Sequence, residues 1–256
     1  MKFEGYYFKH QSDKSTIAVI IGKTDDCKFI QVVTEKEAFW FDGWGNCKFS
    51  SKGIKMDIGG IKGHIYYGKL APIKYDIMGI FKYFPMECRH SIISMRHNLT
   101  GQIDINGEII DFDGGLGYIE KDSGVSFPKS YLWLQCNFVQ NCSVSLSIAN
   151  IPFYGLRFKG CICVLHYENT EYRLATYLGV KILCCKPEKV VLKQGEYLLI
   201  INVLPRPGHD LAAPQNGKMN RTINECLNCP VRVRFYERRK LLLDIRSDRA
   251  SFEWVG

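Results

Sequence analysis

An all-β fold is predicted by three properties of the sequence. Apolar residues alternate with period two or fall in short runs, and amphipathic stretches of ten or more residues at helical spacing are nearly absent. Turn-forming dipeptides also punctuate the runs. In chain order, strands are expected at 16–21 and 28–34, where β-branched residues cluster, and at 55–58. Residues 102–111 read as a hairpin, because Asn106-Gly107 separates Ile103 and Ile105 from Ile109 and Ile110 and both turn residues tolerate positive φ. Further strands are expected at 131–138, 143–149, 157–167, 172–180, 197–204, 231–236 and 241–245. Asp42-Gly43, Glu168-Asn169 and Gln194-Gly195 supply other turns, and Pro205, Pro207 and Gly208 a rigid loop. Short helical turns are expected only at 85–91 and 35–39, and no internal repeat is visible.

The 256 residues suffice for one large β domain or two smaller ones. With 46% apolar and 23% charged residues the composition is that of an ordinary globular protein. No apolar run approaches the roughly 18 residues of a membrane span. The first run, 16–21, lacks the flanks of a signal peptide, so a cytoplasmic location is expected. Eleven cysteines, an odd number at irregular spacing, fit reduced and mostly buried thiols rather than a disulfide framework. Cys226-Leu-Asn-Cys229 is a lone CxxC without a second pair, and Asp111 and Asp113 lack calcium-loop spacing, so no metal is expected. The net charge of +8 invites a nucleic-acid reading. Its densest cluster, however, places Arg232 and Arg234 in alternation with Val231, Val233 and Phe235, the pattern of a solvated sheet face, and no nucleic-acid partner is expected.

The segment from Gly114 to Asn137, GGLGYIEKDSGVSFPKSYLWLQCN, concentrates acids, aromatics and amides on what reads as two strands joined by a Gly/Pro turn. It resembles the signature of the tocopherol cyclase family through Gly117 to Asp122, Gly124, Ser126 to Pro128, Trp133 and Gln135 to Asn137. Ser123 stands where the family carries Trp. Phe3 to Gln11, Ser147 to Gly160 and Leu211 to Glu225 resemble further family segments in the same order. The resemblance implies two lipocalin-like antiparallel β-barrels or sandwiches packed together, related to carotenoid hydratases, with an N-terminal domain at 1–125 and a C-terminal domain at 126–256. It also implies redox-neutral, cofactor-free closure of a prenylated phenol or quinol, with a hydrophobic small molecule as partner and at most transient membrane contact.

If 117–122 is a strand, Tyr118, Glu120 and Asp122 share one face and Ile119 and Lys121 the other. Closure of a prenyl chain on a phenol needs an acid to protonate an alkene, and a carboxyl shielded from water suits that task better than one in solution. Asp122 is the expected donor and Glu120 the second choice, with a turn-capping Asp122 as the structural alternative. His97 is a candidate base towards the phenol. Tyr118, Phe127, Tyr131 and Trp133 offer aromatic faces for a developing cation, while Gln135 and Asn137 would orient the phenolic head. Lys9 and His10 match family positions without a derivable role, and the Ser123 replacement is expected to remove aromatic surface beside the acid. A non-catalytic lipocalin-like carrier of a hydrophobic ligand is the competing expectation.

Overall fold

The computed structural model describes residues 2–153 and 156–256. Strands account for 69% of the chain and helix for 3%, which settles the all-β class. The first ten strands are β1 (Phe3–Gln11), β2 (Thr16–Thr24), β3 (Lys28–Val33), β4 (Ala38–Asp42), β5 (Lys48–Ser50), β6 (Gly53–Ile58), β7 (Ile61–Tyr67), β8 (Cys88–Ile105), β9 (Glu108–Asp111) and β10 (Leu116–Gly124). They form one antiparallel sheet in the order β4-β3-β2-β1-β10-β8-β7-β6-β5, with β9 paired on β8. The next ten are β11 (Tyr131–Phe138), β12 (Cys142–Phe153), β13 (Leu156–Tyr167), β14 (Thr170–Ala175), β15 (Lys181–Lys186), β16 (Lys189–Gln194), β17 (Tyr197–Val203), β18 (His209–Gln215), β19 (Lys218–Glu237) and β20 (Lys240–Val255). They form a second sheet in the order β14-β13-β12-β11-β20-β19-β17-β16-β15, with β18 on β19. The two orders correspond almost strand for strand, a duplication of architecture that the sequence does not display.

Each sheet curls around its own core. In the first, Tyr6 and Phe8 of β1 lie 5.9 and 6.1 Å from Phe49 of β5, at the far end of the strand order. The enclosed core draws Phe8, Ile17, Val19, Ile30, Ile54, Ile65, Leu99, Ile103 and Ile119 from seven strands. Strand β8 makes the curl possible: residues 88–98 pair with β10 and residues 99–105 with β7, so one long strand serves both halves of the sheet. In the second sheet, Tyr172 of β14 reaches Phe235 of β19 at 4.8 Å and Tyr197 of β17 at 5.7 Å. Its core includes Leu134, Phe138, Leu146, Cys163, Leu192, Leu199, Val233 and Phe252.

The chain divides into two compact units that exchange segments. One holds residues up to Ile73, Cys88–Phe127 and Leu211–Thr222; the other holds Lys74–Glu87, Pro128–Asp210 and Ile223–Gly256. Within the first unit, Gln31 of β3 binds the 211–222 segment reciprocally: its Nε2 donates to the Ala212 carbonyl at 2.9 Å, and its Oε1 accepts from the Ala212 N–H at 2.8 Å. Within the second, the Arg173 guanidinium donates to the carbonyls of Tyr75 and Asp76 and covers the Tyr75 ring at 3.6 Å.

Several local expectations are corrected. Residues 35–39 are not a helical turn: the Thr34 hydroxyl accepts from the N–H groups of Lys36 and Glu37, tightening a hairpin into β4. Residues 85–91 lead into β8, and the short 3-10 helix lies earlier, at Gly79–Tyr83. The 172–180 strand stops at Ala175, where a 3-10 turn at Thr176–Leu178 is closed by Gly179 at φ 80°. The strands flanking the Gly/Pro segment do not pair, since β10 belongs to the first sheet and β11 to the second. By contrast, Asn106 and Gly107 adopt φ of 53° and 92° in the β8–β9 hairpin, as their chemistry requires. Among the described residues, no helix is long and apolar enough to cross a membrane, and all eleven cysteines are free thiols.

Candidate active site

Period-two alternation places Tyr118, Glu120 and Asp122 on one face of β10. In register on β1, Lys9 lies opposite Tyr118, Tyr7 opposite Glu120 and Gly5 opposite Asp122. On β8, His90 lies opposite Asp122 and Ile92 opposite Glu120. Three adjacent strands thus bring two acids, two phenols, a lysine and an imidazole to one patch.

The polar side chains form a connected chain. The Tyr118 hydroxyl donates to Glu120 Oε2 at 2.5 Å. His90 Nε2 stands 3.6 Å from the same oxygen, within ion-pair range but beyond a hydrogen bond. His90 Nδ1 is 2.8 Å from Asp122 Oδ1, a full hydrogen bond. Burial is graded along this chain: Tyr118 is wholly enclosed, Glu120 retains 4% of its surface, and Asp122 is partly open. Lys9 is also fully enclosed, at 0% exposure.

The other face of β10 is structural. The Lys121 ammonium pairs with Glu4 at 2.7 Å and lies over the Tyr6 ring. That pairing raises the lysine and lowers the carboxylate relative to their ordinary values, the hydrogen bond being the largest cause in each case. Ser123 lies on this face, opposite Glu4 and Arg89, and not beside Glu120 and Asp122. His97 also faces this way. Its ring abuts Gly117, Ser94 Oγ lies 3.0 Å from its Nδ1, and it packs on Tyr67 at 4.6 Å between ring centroids. Burial pushes His97 down to about 4 and, with a smaller contribution from the His97 field, His10 down to about 3. His10 Nε2 meets the Tyr67 hydroxyl at 2.8 Å. The structure therefore joins Tyr118, Glu120 and Asp122 but sets His97 across the sheet from them, with neutral His10 and Tyr67.

Phe127 belongs to the first unit, where its ring meets Phe3 edge-on at 5.4 Å. Its N–H donates to the Pro214 carbonyl and its own carbonyl accepts from Arg221. In the second unit, Tyr131, Trp133, Gln135 and Asn137 share one buried face of β11, opposite the core-forming Leu132, Leu134, Cys136 and Phe138. Tyr131 donates to Glu253 Oε2 at 2.5 Å, and Gln135 Nε2 donates to Asn137 Oδ1 at 3.4 Å. Ser143, Ser145 and Ser147 of β12 continue that polar face in register.

His90 is the principal residue that sequence reasoning missed. Only a strand register that places it beside Asp122 gives it meaning, although its period-two spacing from Ile92 was available. Tyr7 and Lys9 gain a place by the same route. His90, Glu120 and Asp122 offer ligand atoms within 4.8 Å of one another, the spacing of a cation site. The imidazole turns Nδ1 to Asp122 at 2.8 Å, a hydrogen bond, and Nε2 towards Glu120 at 3.6 Å, an ion-pair distance. Asp111 and Asp113 shape the connection from β9 to β10: Asp113 accepts from the Gly101 N–H, and Asp111 accepts from the Asp113 N–H.

Both the sequence and the fold have known relatives. The model of the tocopherol cyclase-like family matches residues 59–256. A probable chloroplastic tocopherol cyclase of Oryza sativa subsp. japonica is 28% identical over 213 residues, covering 74% of this chain and 44% of that protein. A chloroplastic tocopherol cyclase of Zea mays is 30% identical over 124 residues, covering 44% of this chain and 25% of that protein. The chain thus spans less than half the length of these relatives. The crystal structure of kievitone hydratase from Nectria haematococca superposes with a TM-score of 0.59 at 11% identity, covering 100% of this chain and 89% of that one, which shows a shared lipocalin-like fold. With three quarters of its length matched by the family model, the chain belongs to the tocopherol cyclase-like family.

Proposed function

We propose that this chain is a redox-neutral enzyme of the cyclase or hydratase type, acting on a prenylated phenol or quinol. One observation carries the reading: an enclosed carboxyl, Glu120, receives a hydrogen bond from Tyr118 and is backed by the His90–Asp122 pair. In the protonated form, Glu120 gives its proton to a trisubstituted alkene, forming a C–H bond and a tertiary cation. The phenol oxygen then closes the ring and loses its own proton, so no electrons are exchanged with a cofactor. The Tyr118 hydroxyl already donates to Oε2, and it stabilises the carboxylate that forms as the proton leaves. Asp122 is the poorer donor because it is more open and engaged by His90, which reverses the order expected from sequence. A placed water in the role of the phenol would make the same machinery a hydratase.

Phe127, in the same unit as Glu120, remains a proposed contact for the hydrophobic ligand. The test is incubation with a 2-prenylhydroquinone in deuterium oxide, followed by mass spectrometry of the chromanol. Wild-type protein is expected to give product carrying one carbon-bound deuterium. Glu120→Gln is expected to reduce turnover by about 100-fold or more while retaining substrate. Binding of the quinol without turnover in wild type would instead support the carrier.

A further inference from the structure

We infer that His90 is a positioning residue that recharges Glu120 between turnovers, an inference that rests on Glu120 being the acid. Cyclisation takes a proton at the alkene and releases one from the phenol, so the enclosed carboxyl must recover its proton every cycle. Of the two acids, Asp122 is the more open and Glu120 the more enclosed, and the imidazole lies between them. The 2.8 Å hydrogen bond between Nδ1 and Asp122 Oδ1 holds the ring so that Nε2 faces Glu120 Oε2. From 3.6 Å, a closure of about 0.7 Å brings that nitrogen to hydrogen-bond distance, and a charge newly formed on Glu120 draws it in.

The recharge step balances in protons. The Nε2–H bond breaks as an O–H bond forms on Glu120, Nδ1 takes up the proton that Asp122 has drawn from solvent, and the ring then loses its Nδ1 proton to solvent and gains one at Nε2, which restores the starting tautomer. One proton enters at the open end, one is delivered at the closed end, and nothing is oxidised or reduced. Tyr118 holds Oε2 by its own hydrogen bond throughout, which keeps the receiving carboxylate from turning away.

The discriminating experiment compares first-turnover and steady-state kinetics with a 2-prenylhydroquinone. His90→Gln can still bind Asp122 but passes no proton between its ends. It is expected to form about one product per chain at a first-turnover rate within about threefold of wild type, then slow about 100-fold in steady state, the range of proton-transfer catalysis. Imidazole added to His90→Gly is expected to restore part of the steady-state rate. Equal losses in both phases, or no loss in either, would overturn the relay. If wild-type protein gives no chromanol, the cyclase reading fails by itself. Nitrogen-15 spectra of histidine-labelled protein then decide the relay independently: Glu120→Gln is expected to shift the Nε2 resonance of His90 and Asp122→Asn the Nδ1 resonance. An Nε2 resonance indifferent to Glu120→Gln would overturn the proposal whatever the substrate.

Discussion

Gly117→Ala tests the packing that separates the two faces of β10. An ideal Cβ at this position would lie 2.2 Å from His97 Nε2, 2.6 Å from Cε1 and 2.7 Å from Cδ2. Ordinary contact begins near 3.4 Å, so the nitrogen would have to retreat by about 1.2 Å. The ring cannot do so cheaply: His97 is 3% exposed, is held through Ser94 and lies against Tyr67. Overpacking of a filled core costs about 1–3 kcal/mol, and the reduced freedom of the unfolded chain returns about 0.4–1 kcal/mol. A net destabilisation of about 1–2 kcal/mol is expected from the urea midpoint followed by circular dichroism. In a His97→Ala background the ring is gone and the added methyl has room, so the penalty should fall and the double-mutant cycle should show about 1–2 kcal/mol of coupling. A neutral Gly117→Ala, or strict additivity with His97→Ala, would refute the packing argument.

Acid should destabilise the first unit through His10 and His97. Both bind protons only near pH 3 and 4 when folded, whereas an unfolded histidine does so near 6.5. The stability they contribute is therefore complete above pH 6.5 and is lost as the pH falls towards 4 and 3, with a slope near pH 5 of about 1.4 kcal/mol per pH unit for each. Urea midpoints at pH 5.5 and 4.5 should show about half of the histidine slope removed by His97→Gln. Gln31→Leu removes both bonds to Ala212; amide exchange at residues 211–217 should quicken by at least tenfold, corresponding to about 1.4 kcal/mol. Arg173→Met strips the buried Glu171 of its 2.9 Å partner and frees two carbonyls. A loss of about 3 kcal/mol and faster proteolysis within 74–87 are the expected outcomes.

The fold class was legible because alternation and turn chemistry are local. Residues 131–138 alternate so regularly that β11 coincides with the expected strand, and Asn106-Gly107 announces its hairpin directly. Asn216-Gly217 has the same signature and positive φ at both residues, and could have been found by the same rule. The long strands were harder, because β8 and β19 bend and change partners, which breaks the two-residue rhythm. At the site, β10 periodicity sufficed to group Tyr118, Glu120 and Asp122. Pairing of His90 with Asp122 depends on register between strands 32 residues apart, information that no single segment carries. The same limitation misplaced Ser123, whose neighbours Glu4 and Arg89 come from β1 and β8.

The traded segments have a practical consequence for dissecting the molecule. A fragment ending at Phe127 would keep Gln31 but lose Ala212, while its complement would keep Arg173 but lose Tyr75 and Asp76. Scission of the chain at that junction therefore orphans a recipient surface in each product. Isolated halves should need the missing stretch resupplied, as a grafted loop or an added peptide, before either behaves as an autonomous unit.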